Sequence, residues 1–162
     1  MVPQGGGHGI MGNGQFEIHS LRLGELYLPH GDGIMRDPVH CWLITDGTMH
    51  ILADSGMPEI AEVTRTLNVG GKGGGHEALR TTLAEHGLKP GDIQQIIVTH
   101  MHFDHAANLE LFPEAQILVQ RDEVFHAVDP TPSQRPFFRR QIMAELMGRK
   151  RPKQLVLLDG DH

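Results

Sequence analysis

Residues Gln95-Ile96-Ile97-Val98-Thr99 form a short apolar run that passes without a break into His100-Met101-His102-Phe103-Asp104-His105. A run of this length, rich in β-branched side chains, reads as a buried strand. A strand delivers its last side chain rigidly, and the turn beyond it can fold several donors toward one point. Three imidazoles and one carboxylate within six positions suit a divalent transition metal such as zinc, iron, copper or nickel. The stretch therefore reads as a metal site at the end of a strand, and the rest of the fold must present it.

At 162 residues the chain has room for one domain with a real core. Hydrophobic residues at 39% and charged residues at 21% fit a soluble globular protein and exclude wholesale disorder. The net charge of -6 argues against nucleic acid as a partner. Seven basic residues, Arg135, Arg139, Arg140, Arg149, Lys150, Arg151 and Lys153, crowd the C-terminal part, but without interleaved aromatics they read as a solvated face. Cys41 is the only cysteine, so no intrachain disulfide can form. The start has no basic region followed by an apolar one, and no run is apolar enough to span a bilayer. The expectation is a cytoplasmic protein with no membrane partner.

Residues 1–14 hold six glycines and no periodicity and read as a flexible tail, leaving 15–162 as the structured part. Residues 16–28 alternate well enough for one or two strands, with Gly24 as a bend. Residues 39–45 and 49–54 read as a hairpin joined by Asp46-Gly47. Asp54, at the tip of its second strand, reads either as a turn former or as the acceptor that orients a ligand histidine. A short helix is expected over 59–67. The glycine run at 70–75 is expected to be a flexible loop or lid, because Lys72 is followed by glycine and not by the Ser or Thr of a phosphate loop. Helices are expected over 76–86, 121–128 and 137–147, a helical turn opened by Asp104 over 106–111, and strands over 116–120 and 154–158.

His100 and His102 can grip one ion from one side of the loop, and Asp104 and His105 a second beside it. Paired ions can share a water and lower its pKa, so that hydroxide is available at neutral pH. Asp104 can also take a proton and return it to a leaving oxygen, which makes it the catalytic candidate. No serine elbow is present, and Cys41 lies inside a strand without an activating partner.

The pattern His100-x-His102-x-Asp104-His105 after an apolar strand, with Asp54-Ser55-Gly56 about 45 residues earlier, resembles the metallo-beta-lactamase superfamily. Residues Cys41-Trp42-Leu43-Ile44, Asp54-Ser55-Gly56-Met57-Pro58-Glu59, Thr99-His100-Met101-His102-Phe103-Asp104-His105-Ala106 and Ile117-Leu118-Val119-Gln120-Arg121 bring it closer to the N-acyl homoserine lactonase branch. The resemblance implies an α/β fold, an αββα sandwich of which this chain supplies about the N-terminal half. It also implies two divalent ions, usually zinc, with His100 and His102 on the first, Asp104 and His105 on the second, and Asp54 supporting the site from behind. Ser55 stands where threonine is usual. The implied function is hydrolysis of a lactone or similar ester, and with it quorum quenching. A thioester, β-lactam or phosphodiester hydrolase, and a non-catalytic metal-binding or assembly fragment, are the alternatives. The later ligands of the family have no counterpart here, so a second polypeptide carrying the C-terminal half is the expected partner. No substrate-binding residue can be named from the sequence.

Overall fold

Two long strands, β1 (Glu17–His30) and β2 (Gly33–Thr45), pair antiparallel and carry the first half of the fold. The computed structural model describes residues 15–148 and 154–160. The glycine-rich tail, the stretch 149–153 with four of the seven clustered basic residues, and Asp161 and His162 lie outside the described residues. The remaining elements are β3 (His50–Ala53), α1 (Ile60–Leu67), β4 (Gly70–Gly73), α2 (Gly75–Glu85), β5 (Gln95–Val98), β6 (Gln116–Gln120), α3 (Arg121–Val128), α4 (Arg140–Met147) and β7 (Leu155–Leu158). The strands form one seven-stranded sheet in the order β4-β1-β2-β3-β5-β6-β7. Pairing is antiparallel from β4 to β3 and parallel from β3 to β7. This is an α/β fold with a mixed sheet. No helix among the described residues is long and apolar enough to cross a membrane.

Strand alternation decides which side each residue takes. Leu21, Cys41, Leu43, Leu52, Ile96, Val98, Ile117 and Val119 enter the main core, where Leu79 and Leu83 of α2, Val124 of α3 and Ile142 and Leu146 of α4 cover them. Leu26, Val39, Met57, Val63 and Phe103 make a second, smaller core under α1. β1 serves both cores because its register shifts between Arg22 and Gly24. Before the shift odd-numbered residues face the helices, with Leu21 opposite Cys41. After it even-numbered residues do, with Gly24 opposite Val39. The bend expected at Gly24 is this bulge, within one strand.

Among the described residues no helix covers the opposite sheet face. Trp42 pairs with Ala53, Ala53 with Ile97, Ile97 with Leu118 and Leu118 with Val156, an apolar row across five strands. Trp42 is 44% exposed and Ile97 36%.

Four expectations need correction. The glycine run at 70–75 is not a lid: residues 70–73 are edge strand β4, paired with residues 24–27 of β1. Glycine is needed because a Cβ on Gly71 would stand 2.3 Å from the Glu25 carbonyl oxygen, and one on Gly74 would stand 2.2 Å from that of Pro58. The hairpin between β2 and β3 turns through residues 46–49, with Asp46 Oδ1 accepting the N–H groups of Thr48 at 2.9 Å and Met49 at 2.7 Å. The last helix begins at Arg140 and not at 137, because Phe138 pairs as an isolated bridge with His102. The turn after the metal-type motif is a 3-10 turn, Leu109–Leu111, preceded by Asn108 and not opened by Asp104.

Candidate metal centre

Beyond β5 the motif bends at Thr99 and turns over 103–105, where the His105 and Ala106 N–H groups both donate to the His102 carbonyl at 3.1 Å. Met101 enters the main core and Phe103 the smaller one, leaving His100, His102 and Asp104 half-buried outside both. Two apolar anchors in two separate cores thus hold three donors in place. The Met101 N–H donates to Glu123 Oε1 at 2.7 Å, and the Phe103 N–H to the Phe137 carbonyl at 2.9 Å. His102 lies against Phe138, edge to face at 4.8 Å between centroids, and against Phe137 at 5.4 Å.

Asp54 turns the chain out of β3 at a φ of 66°, which a short polar side chain tolerates. Its carboxylate is buried and shared. Oδ1 accepts the Thr99 N–H at 2.8 Å, Oδ2 accepts the Thr99 hydroxyl at 2.8 Å, and Oδ2 also accepts His105 Nδ1–H at 2.8 Å. The carboxylate thus accepts from the backbone and hydroxyl of Thr99 and from one histidine ring together. Behind it the Ser55 N–H donates to the His105 carbonyl at 2.6 Å, and Asn108 Nδ2 donates to the carbonyls of Ser55 at 2.7 Å and Met57 at 3.0 Å.

These bonds fix the imidazoles. With its Nδ1 proton on Asp54, His105 keeps its Nε2 lone pair free, and that atom lies 3.6 Å from Asp104 Oδ2. The Thr99 hydroxyl spends its proton on Asp54, so at 3.2 Å it accepts from His100 Nδ1, which frees His100 Nε2 as well. Ring centroids are 4.7 Å apart for His100 and His102, and 4.0 Å for His100 and His105. Burial holds His100 below the ordinary imidazole pKa, and the neighbouring His105 and His102 push the same way. For His105 burial is the largest single influence and acts downward. The Asp54 hydrogen bond and the charges of Asp104, Asp54 and Asp37 outweigh it and leave the ring raised.

All five expected residues, Asp54, His100, His102, Asp104 and His105, thus meet at the ends of β3 and β5. Among the described residues no three His, Cys, Asp or Glu donors already surround a common point. The donor chemistry nonetheless fits a divalent ion: the His100 and His105 rings with Nδ1 engaged and Nε2 left as the donor, the His102 ring beside them, a carboxylate facing His105 and another behind it. Thr99, Asn108, Glu123, Phe137 and Phe138 also build the site and were not singled out from the sequence. Only the position of Thr99, directly before the first donor, offered a signal.

The model of the metallo-beta-lactamase superfamily matches residues 34–160. An N-acyl homoserine lactonase of Bacillus cereus is 36% identical over 94 residues, 53% of this chain and 38% of that protein. Metallo-beta-lactamase domain-containing protein 1 of Homo sapiens is 40% identical over 70 residues, 43% of this chain and 26% of that protein. Among solved structures, a probable metal-dependent hydrolase from Staphylococcus aureus superposes with a TM-score of 0.72 at 23% identity, covering 89% of this chain and 59% of that one. A B. thuringiensis AiiA mutant with N-decanoyl-L-homoserine bound at its active site gives 0.69 at 22% identity, covering 90% and 60%. At such identities these two structures speak for the fold alone. The chain spans less than two thirds of the length of each of these relatives.

Proposed function

Because this chain belongs to the metallo-beta-lactamase superfamily, we propose that it carries the metal-binding half of a hydrolase that opens a lactone or similar ester. The observation that carries this reading is His105, tied through Nδ1 to Asp54 and facing Asp104 Oδ2 with its free Nε2, beside His100 and His102. His100 and His102 would hold one divalent ion, and Asp104 and His105 a second, zinc being the first choice for such donors. Bound there, the ions supply Lewis acidity at neutral pH. Asp54 and Thr99 keep His105 and His100 in the tautomers that bind. Asp104 is the group placed to take a proton from the attacking water and return it to the leaving oxygen. The lactone as substrate rests on the lactonase relatives.

The same proposal includes a second polypeptide bearing the remaining ligands and a second sheet. The uncovered row Trp42, Ala53, Ile97, Leu118 and Val156 supports it, since a contiguous apolar patch of this kind marks an interface. A charged end to that face also supports it. The register sets Arg22, Arg36 and Lys72 on the same side as Glu25, which they surround while its Oε1 has no hydrogen bond. A cytoplasmic location belongs to the proposal too.

Zinc analysis and lactone turnover of the purified material, with His102→Ala and Asp104→Asn as controls, test the function. Material that holds two ions yet opens no lactone, ester or thioester overturns the hydrolase reading. Intact mass and gel filtration test the second chain. A lone 162-residue monomer with two zinc ions and full turnover removes that part of the proposal.

A further inference from the structure

The outer surface of α3 and α4 is apolar where a surface helix is ordinarily polar. Val124 and Ala127 of α3 and Ile142 and Leu146 of α4 face the main core. Phe125 and Val128, on the outward side of α3, are 63% and 67% exposed, and Met147 of α4 is exposed as well. Between the two helices lies a cavity of about 530 Å³, within the range of roughly 300–1,000 Å³ usual for small-molecule sites. Ala127, Val128, Phe138 and Met143 give it apolar walls. Phe125 lies one turn before Val128 and Met147 one turn after Met143, so the apolar surface continues outward along both helices. The Phe138 ring is shared with the metal centre, for its other contacts are His102 at 4.8 Å and His126 at 5.3 Å.

The charged lining of this cavity is unbalanced. Arg135, Arg139 and Arg140 stand against one carboxylate, Asp129. Arg139 is turned to Glu62 and to the Thr66 hydroxyl. Arg135 Nη2 lies 3.9 Å from Asp129 Oδ1, a loose pairing of two exposed side chains. Arg140 is exposed and makes no ion pair among the described residues. On a chain of net charge -6 this local positive excess selects for an anion. Apolar walls with a guanidinium beside them suit an amphiphile: an aliphatic body, and a head whose two oxygens match the guanidinium fork.

We propose that the cavity between α3 and α4 binds a fatty carboxylate, its chain against Ala127, Phe138 and Met143 and its carboxylate on Arg140. Arg135 adds positive charge to the same end. No residue of the His100–His105 cluster lines the cavity, so the site is distinct from the metal centre and touches it only through Phe138.

Isothermal titration of the full chain with hexanoate, octanoate and decanoate tests this. EDTA is present, so that no bound metal competes for the carboxylate, and the result does not depend on turnover. One equivalent is expected, with affinity rising about threefold for each CH₂ group added. Decanol and decyltrimethylammonium are expected to bind far more weakly than decanoate. Met143→Glu, which sets a like charge beside the ligand, is expected to abolish binding. Arg140→Gln alters an exposed side chain, so circular dichroism should match the parent while decanoate binds about fivefold more weakly. Emission from Trp42, the only tryptophan and on the opposite face of the sheet, is expected to stay constant. No binding of decanoate, equal binding of decanol, or decanoate binding that survives both substitutions overturns the proposal. So does a change in Trp42 emission, which would put the ligand on the uncovered sheet face. A dimer on gel filtration that Met143→Glu dissociates would make the groove a contact between two copies, and would overturn it too.

Discussion

His105 Nδ1 lies 2.8 Å from Asp54 Oδ2 across 51 residues of chain, and this bond joins the turn after β3 to the turn after β5. The same carboxylate takes both the N–H and the hydroxyl of Thr99. One buried side chain therefore sets the backbone before the donors and the tautomer of the last of them.

Replacing it should separate those two roles. Asp54→Asn keeps a side chain that accepts the left-handed turn but cannot receive from both Thr99 and His105. Zinc affinity is expected to fall by about 10–100-fold with the fold retained. Asp54→Ala should also lose stability, about 0.5–1.5 kcal/mol for each hydrogen bond removed. Competition titration with a zinc chelator, alongside thermal unfolding, reads both. Unchanged affinity in Asp54→Asn would mean that His105 is oriented by something else.

Cys41 is buried, and burial first, with the negative charge of Asp54 second, pushes its thiol up to about 12. No appreciable thiolate exists at neutral pH. Iodoacetamide at pH 8 is expected to leave the native chain unlabelled and to react fully in denaturant. Rapid labelling of the native chain would mean that β2 opens on that timescale.

Asp46 carries the turn between β2 and β3. Hydrogen bonds from the Met49 N–H, and next from that of Thr48, hold its pKa below the ordinary 3.8. A carboxylate depressed in the folded state stabilises above its unfolded pKa, and that stabilisation is lost as pH falls through the folded value. Asp46→Asn should therefore melt earlier than the parent at pH 7, and the two curves should converge below pH 3.8. Melting curves that stay parallel across this range would contradict the assignment.

Gly71→Ala should destabilise by about 1–3 kcal/mol, the usual range for overpacking. Its Cβ would meet the Glu25 carbonyl oxygen at 2.3 Å and Ile60 Cδ1 at 2.7 Å. Gly91→Ala, with nothing within 4 Å, serves as the neutral control. Chemical denaturation of both variants decides it, and equal stabilities would mean that β4 is not pressed against β1 as described.

The donors, Asp54, the central strands and α2 were legible because each carries its signal locally, as apolar alternation, a helical period or clustered imidazoles. β4 was not, since glycine has no side chain to show a period, and the reason for glycine lies in the backbone of β1. The first part of β2 was hidden because residues 33–38 are all exposed and include Pro38. Asn108 and Glu123 escaped notice as single polar residues whose partners lie 53 and 22 positions away. Phe138 reads by pattern as a helix residue, and only its pairing with His102 takes it out of α4.

The register shift in β1 restricts how the chain can vary. Leu21 belongs to one core and Leu26 to the other, an odd number of steps apart on a strand whose period is two. Deleting the single residue Leu23 would leave Arg22 opposite His40 and Gly24 opposite Val39 in unbroken alternation, with Leu21 and Leu26 both still inward. It would cost the Leu23 side chain in the main core and the carbonyl that accepts the Gly74 N–H. The same one-residue deletion at Tyr27, in the regular part of the strand, would instead face Leu28 away from the smaller core it packs against.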